Sequence, residues 1–229
     1  MNRNISCWCV FVEHELIFHL HIPKTAGSSV RSALLDSGWV MANGFKQHSI
    51  VDRRGTLISG HFMYGAFPLF RMGKKTTYVT VLRDPVDQMV SMYGFVKERP
   101  KHPFYPLTAE GFSKFWHSPK LRNVQARYLA GKLVSFLYGR GVIGDGTLYR
   151  AAASNLKKIQ FVGVQDDLNS FLLDLKVGGV VDLQVSSFER RNMGRKRVDF
   201  GEGVESFKTL NEIDYALYRM ASEMINKGA

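Results

Sequence analysis

Cysteine is nearly missing from this chain, with only Cys7 and Cys9 among 229 residues. Two thiols so close in sequence cannot staple distant segments, which excludes a disulfide framework. No His or Cys group at ligand spacing follows them, so they read as reduced thiols in the first segment. Long apolar runs are missing too. Residues 5–12 are apolar, but Glu13, His14 and Glu15 end the run, far short of the ~20 residues a membrane-spanning helix needs. A signal peptide requires a basic start and a small-residue cleavage site. Only Arg3 is basic there, and no such site follows. The expectation is a soluble, cytoplasmic protein with no membrane span. Acidic charge is scarce: 20 Asp and Glu stand against 31 Lys and Arg, a net charge of +11. That excess favours polyanionic ligands. Internal repeats and low-complexity stretches are absent. A hydrophobic content of 45% excludes a disordered chain, and the length suits a single α/β domain over residues 1–229.

What is present centres on Leu16–Ser29. Residues 16–22 are a short apolar run rich in branched and aromatic side chains, a strand buried on both faces. A loop of small residues holding Lys24 comes next. Val30, Ala33, Leu34 and Leu35 then recur at helical spacing, predicting a helix over 28–36. The first amides of a helix have no internal partner and sit at the positive end of its dipole. A phosphate there satisfies both. Gly27 lets the backbone approach closely; Thr25, Ser28 and Ser29 add hydroxyls and Lys24 a full charge. The pattern is not a Walker A loop, in which the lysine follows the last glycine. An ordinary strand-to-helix turn with a solvated lysine is the alternative.

A second strand–turn–helix lies at Thr77–Tyr93, with the strand over 77–82 and the helix over 85–97. Asp84 suits an N-cap, Pro85 the first helical position and Asp87 the first turn. Arg83 closes the strand, and Ser91 lies two helical turns beyond Asp84. Further strands are expected at 56–59, ending at Gly60-His61, at 161–164, and over Val180–Ser186. Turn signals at Asn43-Gly44 and Arg54-Gly55 make 38–56 a loop. Three prolines do the same for 99–107. The glycines at 139, 141, 144 and 146 mark another loop. Helices are expected near 108–117, 121–130, 147–157 and 167–175, with one or two amphipathic helices over Glu202–Lys227. Residues 1–12 form an extra strand or a lead-in. Strands alternating with helices argue for a parallel sheet covered on both faces, with ligands beyond the carboxyl ends of the strands. Lys24, His61 and Arg83 each follow such an end.

Ile22-Pro-Lys-Thr-Ala-Gly-Ser-Ser29 and Leu82-Arg-Asp-Pro-Val-Asp-Gln-Met-Val-Ser-Met-Tyr93 together resemble the 5′-phosphosulfate loop and the 3′-phosphate motif of sulfotransferases. These enzymes use 3′-phosphoadenosine 5′-phosphosulfate (PAPS). The motifs stand in the family's order, about sixty residues apart. The branch most similar contains the heparan sulfate 2-O-sulfotransferases and bacterial relatives. Ser59-Gly-His-Phe62, Asn123-Val-Gln-Ala-Arg127 and the C-terminal helix extend the likeness over most of the chain. The resemblance implies a P-loop-containing three-layer α/β fold, its central, mainly parallel sheet flanked by helices. It further implies PAPS as co-substrate, held by Lys24, Thr25, Ala26, Gly27, Ser28, Ser29, Arg83 and Ser91.

Sulfuryl transfer, like phosphoryl transfer, mainly asks a protein to position reactants and neutralise developing charge. Lys24 is the expected cation at the leaving oxygen. An unperturbed imidazole, with a pKa of about 6.5, suits a general base; His61 is the candidate, and the family places a histidine base in this region. The alternative for His61 is a structural residue at a strand end. His19 and His21 share one strand face by alternation, with core or structural roles expected and lining of the site as the alternative. His14, His48, His102 and His117 show no metal spacing, and no metal is expected. The basic run 189–197 reads as a solvated loop; the family resemblance makes Arg190, Arg191 and Asn192 possible ligand contacts. Asn123, Gln125 and Arg127 fall on a helix whose counterpart in the resembled family lies near the cofactor, and their roles stay unassigned. Two other functions remain open. An ATP-dependent kinase is disfavoured by the displaced lysine and by the want of a clear Walker B acid. A non-enzymatic polyanion binder has only the net charge behind it, with no nucleic-acid module. The expected acceptor is a hydroxyl of a carbohydrate or another small or lipid-linked molecule.

Overall fold

A computed structural model describes residues 16–41, 55–66, 76–182, 184–185, 200 and 203–228. The lead-in expected within residues 1–12, Cys7, Cys9, the Asn43-Gly44 turn and the basic run with Arg190, Arg191 and Asn192 lie outside the described residues.

The chain begins with β1 (Leu16–Leu20), α1 (Gly27–Asp36), β2 (Val40–Met41), β3 (Thr56–Gly60), β4 (Thr76–Leu82) and α2 (Pro85–Lys97). Three helices follow in a row: α3 (Gly111–His117), α4 (Val124–Ala130) and α5 (Lys132–Gly139). Then come α6 (Asp145–Leu156), β5 (Phe161–Val164), α7 (Leu168–Val177), α8 (Val204–Leu210) and α9 (Glu212–Gly228). The strands form one sheet in the order β2-β3-β1-β4-β5, and every pairing is parallel. The fold is a three-layer α/β sandwich. Central β1 is buried at all five positions. Covered on both faces, it reads as one apolar run without alternation.

Ile17, Val79 and Val81 pack with Val30 and Leu34 of α1 and with Phe171 and Leu175 of α7. Phe18, Leu20 and Leu82 pack on the other face with Leu129 of α4, Leu148 and Ala152 of α6 and Leu217 of α9. A third cluster joins Met89, Met92 and Val96 of α2 to Phe115 and Trp116 of α3 and Phe207 of α8. The chain therefore leaves β1 toward one face through α1, and after β4 it covers the opposite face through α4 and α6. Connections that part in this way leave a crevice beyond the strand ends, where ligands bind in open α/β sheets.

Three local expectations give way. Val180–Ser186 does not continue as a strand through its described residues. The Val180 and Val181 amides both donate to Leu175 O (2.8 and 3.1 Å), and Val180 O accepts from Trp39 Nε1 at 2.7 Å. Asp182 N donates to Ser37 Oγ at 2.9 Å. Backbone groups already used by a helix end and by side chains cannot enter a ladder. The loop expected over 38–56 holds the two-residue strand β2. Finally, the loop marked by the glycines at 139–146 is shorter than expected, with Gly139 as the last residue of α5 and Gly146 inside α6, and α5 stands where no element was expected. Leu133 and Phe136 of α5 are 70% and 56% exposed while Val134 and Tyr138 pack half-buried on the core, so apolar residues on both faces blur the pattern of this helix.

The sheet and α7 approach closely at Gly163, where an added Cβ would stand 2.4 Å from the Phe171 ring. Both neighbours are fixed in the core, so Gly163→Ala is expected to cost about 1–3 kcal/mol by overpacking. Equilibrium denaturation should show a lower midpoint with an unchanged slope.

Candidate active site

The β1–α1 loop turns on two non-glycine residues in the left-handed region, Lys24 (φ 66°) and Ala26 (φ 68°). Left-handed geometry costs an L-residue roughly 1–2 kcal/mol, and such strain concentrates at functional sites. Thr25 is buried and its hydroxyl donates to Ile22 O at 3.0 Å, closing the loop from inside. Ala26 occupies the N-cap of α1 and has no side chain to cap with. Ser29 N and Val30 N donate to Ala26 O at 2.9 and 3.3 Å. The first turn of α1 contains no acidic residue. The contrast with α2 is direct. There the Asp84 carboxylate accepts from Val86 N (2.8 Å) and Asp87 N (3.1 Å), Pro85 opens the helix and Asp87 adds charge. The α2 terminus has been filled with carboxylate by the sequence. At α1 the positive end of the dipole meets only Gly27, Ser28 and Ser29.

Arg83 emerges from the end of β4 beside this loop. It is half-buried, and its Nη1 donates to Lys24 O at 3.2 Å. Its Nε is buried without a hydrogen-bond partner among the described residues. Burial lowers the Arg83 pKa from its ordinary value, while Asp87, Asp166 and Asp84 oppose that shift; a guanidinium stays charged regardless. From α2, Gln88 Nε2 donates to Pro23 O at 2.8 Å, and the Phe95 ring lies 4.5 Å from Lys24 Nζ. Ser91 follows Gln88 by three residues and precedes Phe95 by four, so it shares the face of α2 turned to the loop. The structure thus brings Lys24, Ser28, Ser29, Arg83 and Ser91 to one end of the sheet.

Three histidines line the other flank. His21 lies between His19 and His61, at centroid distances of 5.4 and 4.4 Å. His19 is fully buried, with Nδ1 2.8 Å from Ser59 Oγ. Burial, reinforced by the neighbouring His21, holds its pKa well below the usual imidazole value. Burial likewise holds His21 at about 3, helped by His61. Both are therefore neutral at physiological pH, and the rings stack without repulsion. His61 is exposed at the end of β3, and its Nδ1 lies 2.8 Å from His21 O. A carbonyl only accepts, so Nδ1 carries the proton in the neutral ring and Nε2 keeps its lone pair.

Sequence reasoning assigned Asp84 to capping, which the geometry bears out. It left without a role the residues that surround the site. Gln125 is fully buried and bonds both backbone groups of Arg83, with Oε1 3.0 Å from Arg83 N and Nε2 2.8 Å from Arg83 O. Asp214, near the start of α9, accepts from Gln125 N (3.1 Å) and Ala126 N (2.7 Å). Burial pushes its pKa up to about 7 against those backbone donors. Gln88 and Phe95 were legible only as members of one helical face with Ser91. Among the described residues, no group of three or more His, Cys, Asp or Glu could hold a metal ion, and no helix is long and apolar enough to cross a membrane.

No protein-family model and no curated protein matches the chain. One similar solved structure is that of mouse sulfotransferase SULT7A1 complexed with PAP, at 15% identity and a TM-score of 0.38. The alignment covers 91% of this chain and 88% of that one. A likeness at that level carries no argument about this chain, and the reading below rests on its own residues.

Gly27 is where loop and histidines interlock, since a Cβ there would stand 2.0 Å from the His21 ring. Gly27→Ala is expected to displace that ring at a cost of about 1–3 kcal/mol. Long-range ¹H–¹⁵N spectra should show the His21 and His61 imidazole signals moving together, with those of His102 and His117 unchanged.

Proposed function

We propose that this protein is a sulfotransferase that moves the sulfuryl group of 3′-phosphoadenosine 5′-phosphosulfate to an acceptor hydroxyl. The observation carrying this reading is the uncapped, acid-free start of α1, met from the next strand by Arg83 through its bond to Lys24 O. That pair stands beyond the carboxyl ends of β1 and β4, where ligands bind in open α/β sheets. Support comes also from the two motifs, Ile22–Ser29 and Leu82–Tyr93, that resemble those of PAPS-dependent sulfotransferases. The buried Arg83 Nε, unpartnered among the described residues, fits an anionic group, because a guanidinium grips a phosphate with parallel bonds.

PAPS supplies an activated sulfuryl group on a phosphate leaving group. In this reading the α1 amides with Thr25, Ala26, Gly27, Ser28 and Ser29 form the cradle for its 5′ end. Lys24 offsets the negative charge that develops on the leaving oxygen. Arg83 and Ser91 hold the 3′-phosphate. His61 Nε2, its lone pair fixed by the Nδ1 contact to His21 O, takes the proton from the acceptor hydroxyl as that oxygen attacks. Arg190, Arg191 and Asn192 are proposed as further ligand contacts. The acceptor belongs to a carbohydrate or to another small or lipid-linked alcohol, in keeping with the resemblance to the 2-O-sulfotransferase branch.

Adenosine 3′,5′-bisphosphate should raise the melting temperature, with stabilisation of about 2.7 kcal/mol at a hundredfold excess over Kd. ATP, which lacks the 3′-phosphate, should do much less. Equal shifts from the two nucleotides would remove the assignment in favour of a kinase, and a shift from duplex DNA alone would favour a polyanion binder.

His61→Asn tests the base. An amide cannot take the proton, so kcat with PAPS should fall roughly 10²–10⁴-fold while the Kd for adenosine 3′,5′-bisphosphate stays unchanged. A loss of both together would make His61 a binding or structural residue.

A further inference from the structure

Arg83 is the first residue past the ladders of β4, whose last pairings are Leu20↔Thr80 with β1 and Leu82↔Val164 with β5. Its backbone is nevertheless held as a strand residue would be. The Gln125 carboxamide accepts from Arg83 N at 3.0 Å and donates to Arg83 O at 2.8 Å. A primary amide side chain offers a donor and an acceptor side by side, which an ionised carboxylate cannot. Gln125 is itself immobilised, being fully buried at the start of α4. Its amide donates to Asp214 Oδ2 at 3.1 Å, and Asp214 N donates back to Asn123 Oδ1 at 3.3 Å. Asn123 N in turn donates to Asn211 Oδ1 at 2.8 Å. All four side chains are buried, and together they tie the start of α4 to the start of α9.

We infer that Gln125 is a positioning residue for nucleotide selection: by clamping Arg83 at both backbone groups, it aims the guanidinium at the ligand's 3′-phosphate. The inference rests on reading Arg83 as the 3′-phosphate ligand. An arginine side chain is long and rotatable, so it selects by geometry only if its root is fixed. Lys24 O restrains one end at Nη1, and Gln125 fixes the other. Groups that orient a direct ligand typically change its affinity 10–100-fold when removed, as seen around metal ligands. The consequence here concerns selectivity. Lost aim weakens the 3′-phosphate contact and leaves the 5′ cradle alone.

The test is calorimetric titration of the full chain with adenosine 3′,5′-bisphosphate and adenosine 5′-monophosphate, comparing the ratio of the two Kd values. Wild type should prefer the bisphosphate, and Arg83→Lys should lose that preference. No preference in wild type, or an unchanged ratio in Arg83→Lys, would overturn the reading of Arg83 itself. Given that preference, Gln125→Met, isosteric but unable to hydrogen-bond, should lose on the order of tenfold of the ratio with monophosphate binding unchanged. Gln125→Glu, titrated at a pH where its carboxyl is ionised, keeps the acceptor for Arg83 N and loses the donor to Arg83 O, so an intermediate ratio is expected. A wild-type ratio in Gln125→Met overturns the inference; should that variant not fold, a wild-type ratio in Gln125→Glu does so. General destabilisation weakens both ligands alike and leaves the ratio unmoved.

Discussion

A guanidinium fixed beside an uncapped helix start is the constraint on which the rest of this structure depends. Arg83 must reach Lys24 O from the neighbouring strand, which requires β1 and β4 to be adjacent, parallel and in register. Their pairing from Leu16↔Thr76 to Leu20↔Thr80 does this. It also requires the loop after β1 to be held open while offering its amides outward. Lys24 and Ala26 achieve that by accepting left-handed backbone geometry. The strain is offset by contacts around it: Thr25 Oγ1 to Ile22 O, Gln88 Nε2 to Pro23 O, and the packing of α1 under the sheet.

The two helix starts show how one physical effect is put to opposite uses. Both α1 and α2 present unpaired amides at the strand ends. At α2 the chain satisfies them itself with Asp84, and its dipole is complemented by Asp87. At α1 it supplies neither a cap nor a carboxylate, and positive potential accumulates from the dipole, Lys24 and Arg83 together. The carboxylates of Asp84, Asp87 and Asp166 favour the charged form of Arg83 without lying in the α1 loop. The histidines on the other flank add no charge, because burial keeps His19 and His21 neutral. Their contribution is shape. His21 fills the space that the missing Cβ of Gly27 leaves and offers its carbonyl to His61 Nδ1.

Support for the site reaches far along the chain. The polar bracket of Asn123, Gln125, Asn211 and Asp214 sits within an apolar layer, where unpaired polar groups would be costly. Each has its partner, so the bracket is rigid. It couples the C-terminal helix to the strand end that carries Arg83.

Several features were written locally. Leu16–Leu20 reads as a strand covered on both faces because it is apolar at every position but His19. Asp84-Pro85-Val86-Asp87 spells a helix start, since capping acts over three residues. The small residues after Pro23 mark a tight strand-to-helix loop for the same reason. Other features were decided only by tertiary structure. Gln125 meets Arg83 across 42 residues, and Asp214 meets the start of α4 across 88 and 89. Neither separation leaves a periodic trace. Helix α5 was hidden by its exposed apolar residues and flanking glycines, and Val180–Val181 looked like strand until Leu175, Trp39 and Ser37 took its backbone bonds. Sequence alone set what short-range sterics and capping control: the strand, the tight loop after it and the helix starts. Which neighbours steady Arg83 and His61 was settled by packing, because those contacts exist only once the sheet has brought separate strand ends together.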